Sequence, residues 1–226
     1  MIPGRDLNTP LQAWSWSALD SFETCPRRHY EIKVAKNIKE KPSEQMNYGK
    51  DVHKALEKRV KNKTPLPEAL SKLEQKVSNL ESLGGILLAE EQLAVNDKLG
   101  LTSWFGKDVW IRAMLDAQVH LGDKMILIDW KTGKMKDDWG QLTMAAHLKF
   151  VLHPELDEIG LMFIWTKYND RTKKVVTREE AGLIWANEIL PRVKKFQRAY
   201  DTNSFPPKPS GLCRHHCPVR SCEHNG

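Results

Sequence analysis

The sequence predicts a mixed α/β domain in which a short antiparallel strand meander is flanked by helices, and three observations lead there. The apolar period is helical before residue 84 and changes to runs and alternation by two between about 90 and 131. A helix, one more strand and a long helix follow the meander. With 226 residues the chain can bury a substantial core in one domain without relying on disulfides.

The elements follow in order. WSWSALDSFETCPRRHYEIKV sets Leu19, Phe22 and Tyr30 on the inner face of a helix that Pro26 interrupts or restarts. GKDVHKALEKRVKNK puts His53, Leu56 and Val60 on one helical stripe, and a second helix from about Pro67 to Leu83 ends at Gly84-Gly85. EEQLAVNDKL, VWIRAMLDAQVHL and KMILIDWK read as three consecutive antiparallel strands with short turns such as Leu121-Gly122-Asp123. A helix from about Trp139 to Val151, the strand IGLMFIWTKY and a helix from about Arg178 to Tyr200, kinked at Pro191, complete the domain. The catalytic core of the sheet is expected over 85–170. After a loop, DTNSFPPKPSG, the polar tail LCRHHCPVRSCEHNG needs something other than a hydrophobic core to order it.

A net charge of +6 and a pI near 9.1 suit a polyanionic partner, although so small an excess also occurs on proteins that touch no nucleic acid. No stretch approaches the roughly 20 apolar residues that span a bilayer, and the start, MIPGRDLNTP, lacks the apolar region of a secretory signal. A cytoplasmic protein of a bacterial or phage-infected cell is expected. Four cysteines in such a chain point to metal or to inert thiols rather than disulfides.

Two strands carry the chemistry. Alternation puts Ile111, Ala113, Leu115 and Ala117 on one face of the first and Arg112, Met114, Asp116 and Gln118 on the other. In MILIDWKTG it puts Leu127, Asp129 and Lys131 together, with Ile128 and Trp130 opposite. Across the short turn Asp116 and Asp129 are not expected to be directly opposite, so twist or an offset has to bring them to a common site. Two converging carboxylates repel, and a divalent cation relieves that repulsion; a hard oxygen site suits magnesium or manganese, as one ion or two. The bland alternative is an Asp-x-Lys ion pair on a solvated face. Against it, the pair ends an almost wholly apolar strand, where sites are expected.

By these residues the chain resembles the RecB-like nucleases, a branch of the PD-(D/E)XK superfamily that includes CRISPR-associated and AddAB nuclease domains. The resemblance rests on the Asp116 strand, Asp129-Trp130-Lys131, Gln141 and Gly49-x-x-x-His53, and spans about Ser15 to Cys222. It implies a restriction-endonuclease-like mixed sheet. By it, His53, Asp116, Asp129 and the Trp130 backbone carbonyl hold the metal, Lys131 is the catalytic lysine and Gln141 joins the catalytic set. The family's tyrosine four residues after the glutamine is replaced by Ala145, leaving its role unfilled or passed to another residue such as His147. Glu90 and Glu91 resemble an upstream family glutamate and receive no role.

Cys213, Cys217 and Cys222 close the chain and Cys25 lies near its start, followed by Pro26. Three thiols in a tail with no core to bury them are poorly explained as unrelated residues. One early and three late cysteines resemble the iron–sulfur clasp of the same branch, where a 4Fe-4S cluster ties the ends of the domain, here 1–36 and 204–226. The late spacing departs from the family's, and zinc is the alternative, with His215, His216 and His224 near enough to contribute. Arg27, Arg28, Lys33, Lys36, Lys134, Lys136 and Arg214 are candidates for DNA phosphates. Trp14, Trp16, Trp104 and Trp139 are candidates for stacking on unpaired bases, with burial as the alternative for each. No phosphate-cradling G-x₄-G-K-[ST] loop is present, so the chain either degrades ends already accessible or relies on a partner, such as a helicase, a single-strand-binding protein or a recombination protein. The expected function is a metal-dependent DNA exonuclease on single strands or frayed ends in recombination, repair or phage DNA metabolism. A CRISPR-type processing nuclease and a non-catalytic DNA-binding module that keeps the clasp are the alternatives.

Overall fold

A computed structural model describes residues 11–225; the opening MIPGRDLNTP, read above as lacking a secretory signal, lies outside them. Helix α1 (Trp16–Thr24) starts where the Ser15 hydroxyl accepts the Ala18 N–H. It stops at an extended Cys25, and α2 (Pro26–His29) restarts with Pro26 in its first turn, as the sequence predicts. A π-helical turn, Tyr30–Val34, extends it. Helix α3 (Glu44–Asn62) is capped by Ser43 and ends at a left-handed Lys63. The second predicted helix divides into a 3₁₀ segment, Glu68–Leu73, and α4 (Glu74–Glu81).

The strands are β1 (Ile86–Val95), β2 (Ile111–Leu121), β3 (Lys124–Lys131), β4 (Glu158–Trp165) and β5 (Asp170–Thr177), in the spatial order β1-β2-β3-β4-β5. All neighbours are antiparallel except β3 and β4, which α5 (Gly140–Leu152) joins as a parallel crossover. The expected meander and helix are therefore present. Strand β5 was not expected, because DRTKKVVT is polar and its side chains are mostly exposed; an edge strand needs no second apolar face. The sheet thus runs past the expected limit at 170, to Thr177. The last helix is α6 (Arg178–Ile184), a π turn Trp185–Ile189 and α7 (Leu190–Asp201). Pro191 opens α7, and the π turn before it absorbs the irregularity that the sequence reads as a kink.

Helices α3 and α4 cover one face, with Val52, Leu56, Val60, Val77 and Leu80 packed on Ala117, Val119, Ile128 and Trp130. The buried stripe of α3 begins at Val52; His53 lies beside it, half-buried, which corrects its predicted place on the stripe. On the other face α5 packs Leu142, Ala146 and Phe150 against Leu127, Leu161 and Phe163. Next to it α1 and α7 close around Leu93, Val95, Ile111 and Ala113.

A break in the pleat positions the site. Ile111, Ala113 and Leu115 face α5 and α7, whereas Ala117 and Val119 face α3 and α4. Residues of one parity thus lie on both faces, which corrects the predicted face that joined Ala117 to the first three. The reversal falls where β1 and β2 pair Ala89 with Ala117 and Glu91 with Leu115, with Glu90 left-handed at φ +53° and Asp116 opposite it, outside the ladder. Beyond Ala117 the ladder of β2 to β3 also ends, and β2 instead bridges to Trp14, whose carbonyl accepts the Arg112 N–H at 2.9 Å. The two strands splay and a cleft opens between them.

Candidate active site

The last ladder pair of β2 and β3 is Ala117 with Ile128, so the next position in register sets Asp116 against Asp129. This corrects the expectation that the two could not be opposite; the splay supplies the separation instead. The Asp116 Oδ2 accepts the Trp130 backbone N–H at 2.9 Å, replacing a ladder bond, while its Oδ1 lies 3.2 Å from His53 Nδ1. The Trp130 side chain is buried under α3 and α4.

Helix α3 reaches Asp116 because Gly49, one turn before His53, passes close to Thr132 just beyond β3. A β-carbon at Gly49 would lie 3.3 Å from the Thr132 Oγ1. The Gly49-x-x-x-His53 spacing therefore has a mechanical reason: the small residue lets the helix approach, and the histidine uses the approach.

The ligating atoms of His53, Glu90 and Asp116 all lie within 4.8 Å of one another, the one such group of three among the described residues. Glu90 had no assigned role. Its part in the group depends on the left-handed backbone that turns it toward Asp116, for which a glutamate in a strand gives no signal. Glu91 points elsewhere: its Oε2 accepts from Gln118 Nε2 at 2.7 Å and from the buried Lys149 ammonium at 2.5 Å.

Asp129 is buried and lies outside that group, its Oδ2 ion-paired with Lys131 Nζ at 2.8 Å. That oxygen accepts no well-directed hydrogen bond. Lys131 also donates to Gln141 Oε1 at 3.2 Å, in the first turn of α5. Asp129, Lys131 and Gln141 are thus together, and Asp116 joins them to His53 and Glu90. Ala145 lines the cleft one turn after Gln141, but His147 does not: it stacks on Trp185 with ring centroids 4.9 Å apart, so it does not take the tyrosine's place.

The electrostatics show crowded negative charge. Burial, then the Asp116 charge, pushes the Asp129 carboxyl up to about 6. Burial and Asp116 also raise Glu90. For His53, burial alone lowers the pKa, but the hydrogen bond and charge of Asp116, with Asp129 and Glu90, outweigh it and raise it. A cation among these groups would offset the repulsion that raises Asp129 and Glu90. One imidazole and two carboxylates, beside an underbonded buried carboxylate oxygen, fit magnesium or manganese.

At the far end of α1, Cys25, Cys213, Cys217 and Cys222 line one small cavity with Arg27, Arg28, His224 and Val219, and none forms a disulfide. Backbone N–H groups point at two of the sulfurs, Lys208 at Cys25 (3.4 Å) and Ser210 at Cys213 (3.3 Å). The other tail histidines lie further out, His216 lining an adjoining cavity and His215 exposed. Arg27 is ion-paired with Glu31 at 2.8 Å and Arg28 with Glu40, so both proposed phosphate contacts already have carboxylates. Lys134 and Lys136 are exposed on the loop after β3. Trp14 is buried between Trp110 and Trp185, and Trp139 packs on Phe163, which leaves Trp16 and Trp104 on the cleft. Among the described residues no helix is long and apolar enough to cross a membrane.

Comparison with known proteins gives three findings. No curated protein matches the chain. The crystal structure of SSO0001 is similar at 16% identity, with a TM-score of 0.47 over 99% of this chain and 91% of that one. Residues 13–92, which include His53 and Glu90, match the family model of the PD-(D/E)XK nuclease superfamily.

Proposed function

We propose that this chain is a divalent-metal-dependent DNA exonuclease that acts on single strands or frayed ends. The observation that carries the reading is the continuous set His53–Glu90–Asp116–Asp129–Lys131–Gln141 at the splayed ends of β2 and β3. His53, Glu90 and Asp116 would hold the ion, with Asp129 beside that group and paired with Lys131. A bound divalent ion supplies charge for the scissile phosphate and a water of lowered pKa.

The protein's own residues do the rest. The Trp130 N–H fixes one oxygen of Asp116, leaving the other for the ion side. Lys131 Nζ is held between Asp129 and Gln141, and its charge would offset the negative charge that grows on phosphorus oxygens. Gln141 orients the lysine rather than the metal. The superfamily match over residues 13–92 supports a nuclease, and the net charge of +6 supports a polyanionic substrate.

The test is incubation of end-labelled single- and double-stranded DNA with magnesium, manganese, calcium or chelator. Stepwise loss of nucleotides with magnesium or manganese, little with calcium and none with chelator is expected. Cleavage in excess chelator, or internal cutting of closed circles at the rate of free ends, overturns the reading.

The four-cysteine cavity is proposed to hold a 4Fe-4S cluster. The reading rests on four thiols outside any disulfide that line one small cavity, two of which accept backbone N–H groups; zinc is the alternative.

A further inference from the structure

We infer that the cleft beside the carboxylates is a subsite for one unpaired nucleotide, and that the turn carrying Trp104 and Phe105 is its stacking platform. The inference rests on the nuclease reading and adds which DNA the site accepts and how.

The cleft holds about 300 Å³ and is lined by Asp116 and Asp129 together with Trp16, Trp104 and Arg112. Its size and mixed lining are those of a site for one small organic group. It exists because β2 leaves β3 at Asp116 and pairs with the chain at Trp14 instead, so its depth is built into the sheet. Trp16 is fixed. The Arg192 guanidinium lies 4.7 Å over its ring, and its outer edge occupies the space where a β-carbon at Gly140 would stand, 2.3 Å away.

Trp104 stands on a turn that is equally well held. The Thr102 hydroxyl donates to Asp108 at 2.6 Å, the Gly106 N–H to the Ser103 carbonyl at 2.9 Å, and Arg112 Nε to the Trp104 carbonyl at 2.8 Å. On this rigid turn the next residue, Phe105, is 87% exposed, the most exposed of the large apolar side chains among the described residues. A loosely held loop could fold its phenyl ring inward; this one presents it to solvent. Exposed Lys107 follows two residues later on the same turn.

An exposed aromatic ring next in the chain to Trp104, two tryptophans in the cleft wall and the Arg112 cation beside them match the pattern by which proteins take successive bases of a single strand. A paired base cannot turn its face to such a platform. The subsite therefore selects single strands and frayed ends through stacking, while the carboxylates act on the adjoining phosphate.

The test measures binding of labelled oligothymidylate to Lys131→Ala protein with magnesium, so that the strand stays intact. It then repeats the measurement with Phe105→Ala and Phe105→Trp added. Loss of one stacked base should weaken binding roughly 5- to 150-fold for Phe105→Ala, with Phe105→Trp near the parent. A strand with one abasic residue, scanned along its length, should show one position where Phe105→Ala costs little more, because the partner ring is already missing. Unchanged affinity for Phe105→Ala, or losses that add at every abasic position, overturns the subsite. If wild-type protein still degrades DNA in that case, the nuclease reading stands without it. If the protein cuts no DNA but the coupling is found, the subsite stands and catalysis does not.

Discussion

Glu90 and Glu91 are chemically identical neighbours with different partners, so they separate chemistry from stability. Glu90→Gln should lower cleavage by 100-fold or more, on the order of 2.7 kcal/mol of lost transition-state stabilisation, and raise the magnesium concentration needed. Its effect on unfolding should be small. Glu91→Gln should leave metal dependence unchanged but destabilise by about 1–3 kcal/mol, because the Lys149 ammonium, 2% exposed, loses its carboxylate. The two unfolding curves and two metal titrations check this. A second prediction at this scale concerns His29 and His147, both pushed down to about 4 by burial. His29 Nε2 sits 2.8 Å from the Tyr200 hydroxyl, so its ring is locked between α2 and α7 in the neutral form. Both folded-state values lie below the ordinary 6.5, so the unfolded chain takes up the protons first. Stability is therefore full above about pH 6.5 and falls as pH drops toward 4, with a slope approaching about 1.4 kcal/mol per pH unit for each histidine. His29→Gln should flatten that slope by up to one proton in denaturation series run from pH 7 to 4, whatever it does to stability at pH 7.

At the scale of elements, the approach of α3 to the end of β3 is the adjustable part of the site. Gly49→Leu should push the helix off Thr132 and carry His53 away from Asp116, costing at least about 10-fold in cleavage. Since Gly49 is half-buried and leucine favours helix by most of 1 kcal/mol over glycine, thermal stability should change little. A fall in stability with unchanged turnover would contradict this account of the motif. The same elements show what the sequence discloses. Strands β1 to β3 and helix α5 are legible because each is an apolar run or alternation bounded by polar turn residues, and Asp116, Asp129, Lys131 and Gln141 fall in order along them. Strand β5 is not legible, because only Val176 on it is buried. Nor is the reversal at Glu90 and Asp116, which hides Glu90's role and the proximity of the two aspartates. A left-handed residue in a strand leaves no mark in composition, and the one residue type that would announce it, glycine, is absent there.

At the scale of the whole molecule, the four cysteines line one cavity between the first helix and a tail that has little else to hold it. Between Lys208 and Asn225 only Val219 is buried. Burying it contributes about 1.5–3 kcal/mol, which offsets the ordering of only one or two residues at roughly 1–2 kcal/mol each. Single hydrogen bonds, such as Lys208 Nζ to the Glu23 carbonyl at 2.7 Å, add too little to change that. On the proposed reading the tail would depend on a metal centre held by its sulfurs, and that binding energy would belong to the folding of both ends. Cys25→Ser and Cys217→Ser should each make residues after about 204 exchange their amide hydrogens rapidly and become open to proteolysis. The sheet and its metal group, built from β1, β2, β3 and α3, should keep their protection. The same variants should lose solubility before they lose cleavage per folded molecule. Protein purified without oxygen should carry iron and sulfide, absorb broadly near roughly 400 nm and bleach in air, whereas a zinc-filled site would be colourless and indifferent to oxygen. Elemental analysis of that protein, with alkylation of its native thiols, decides the matter: neither iron nor zinc, and four freely reactive cysteines, would leave the tail's order without a cause and remove the clasp.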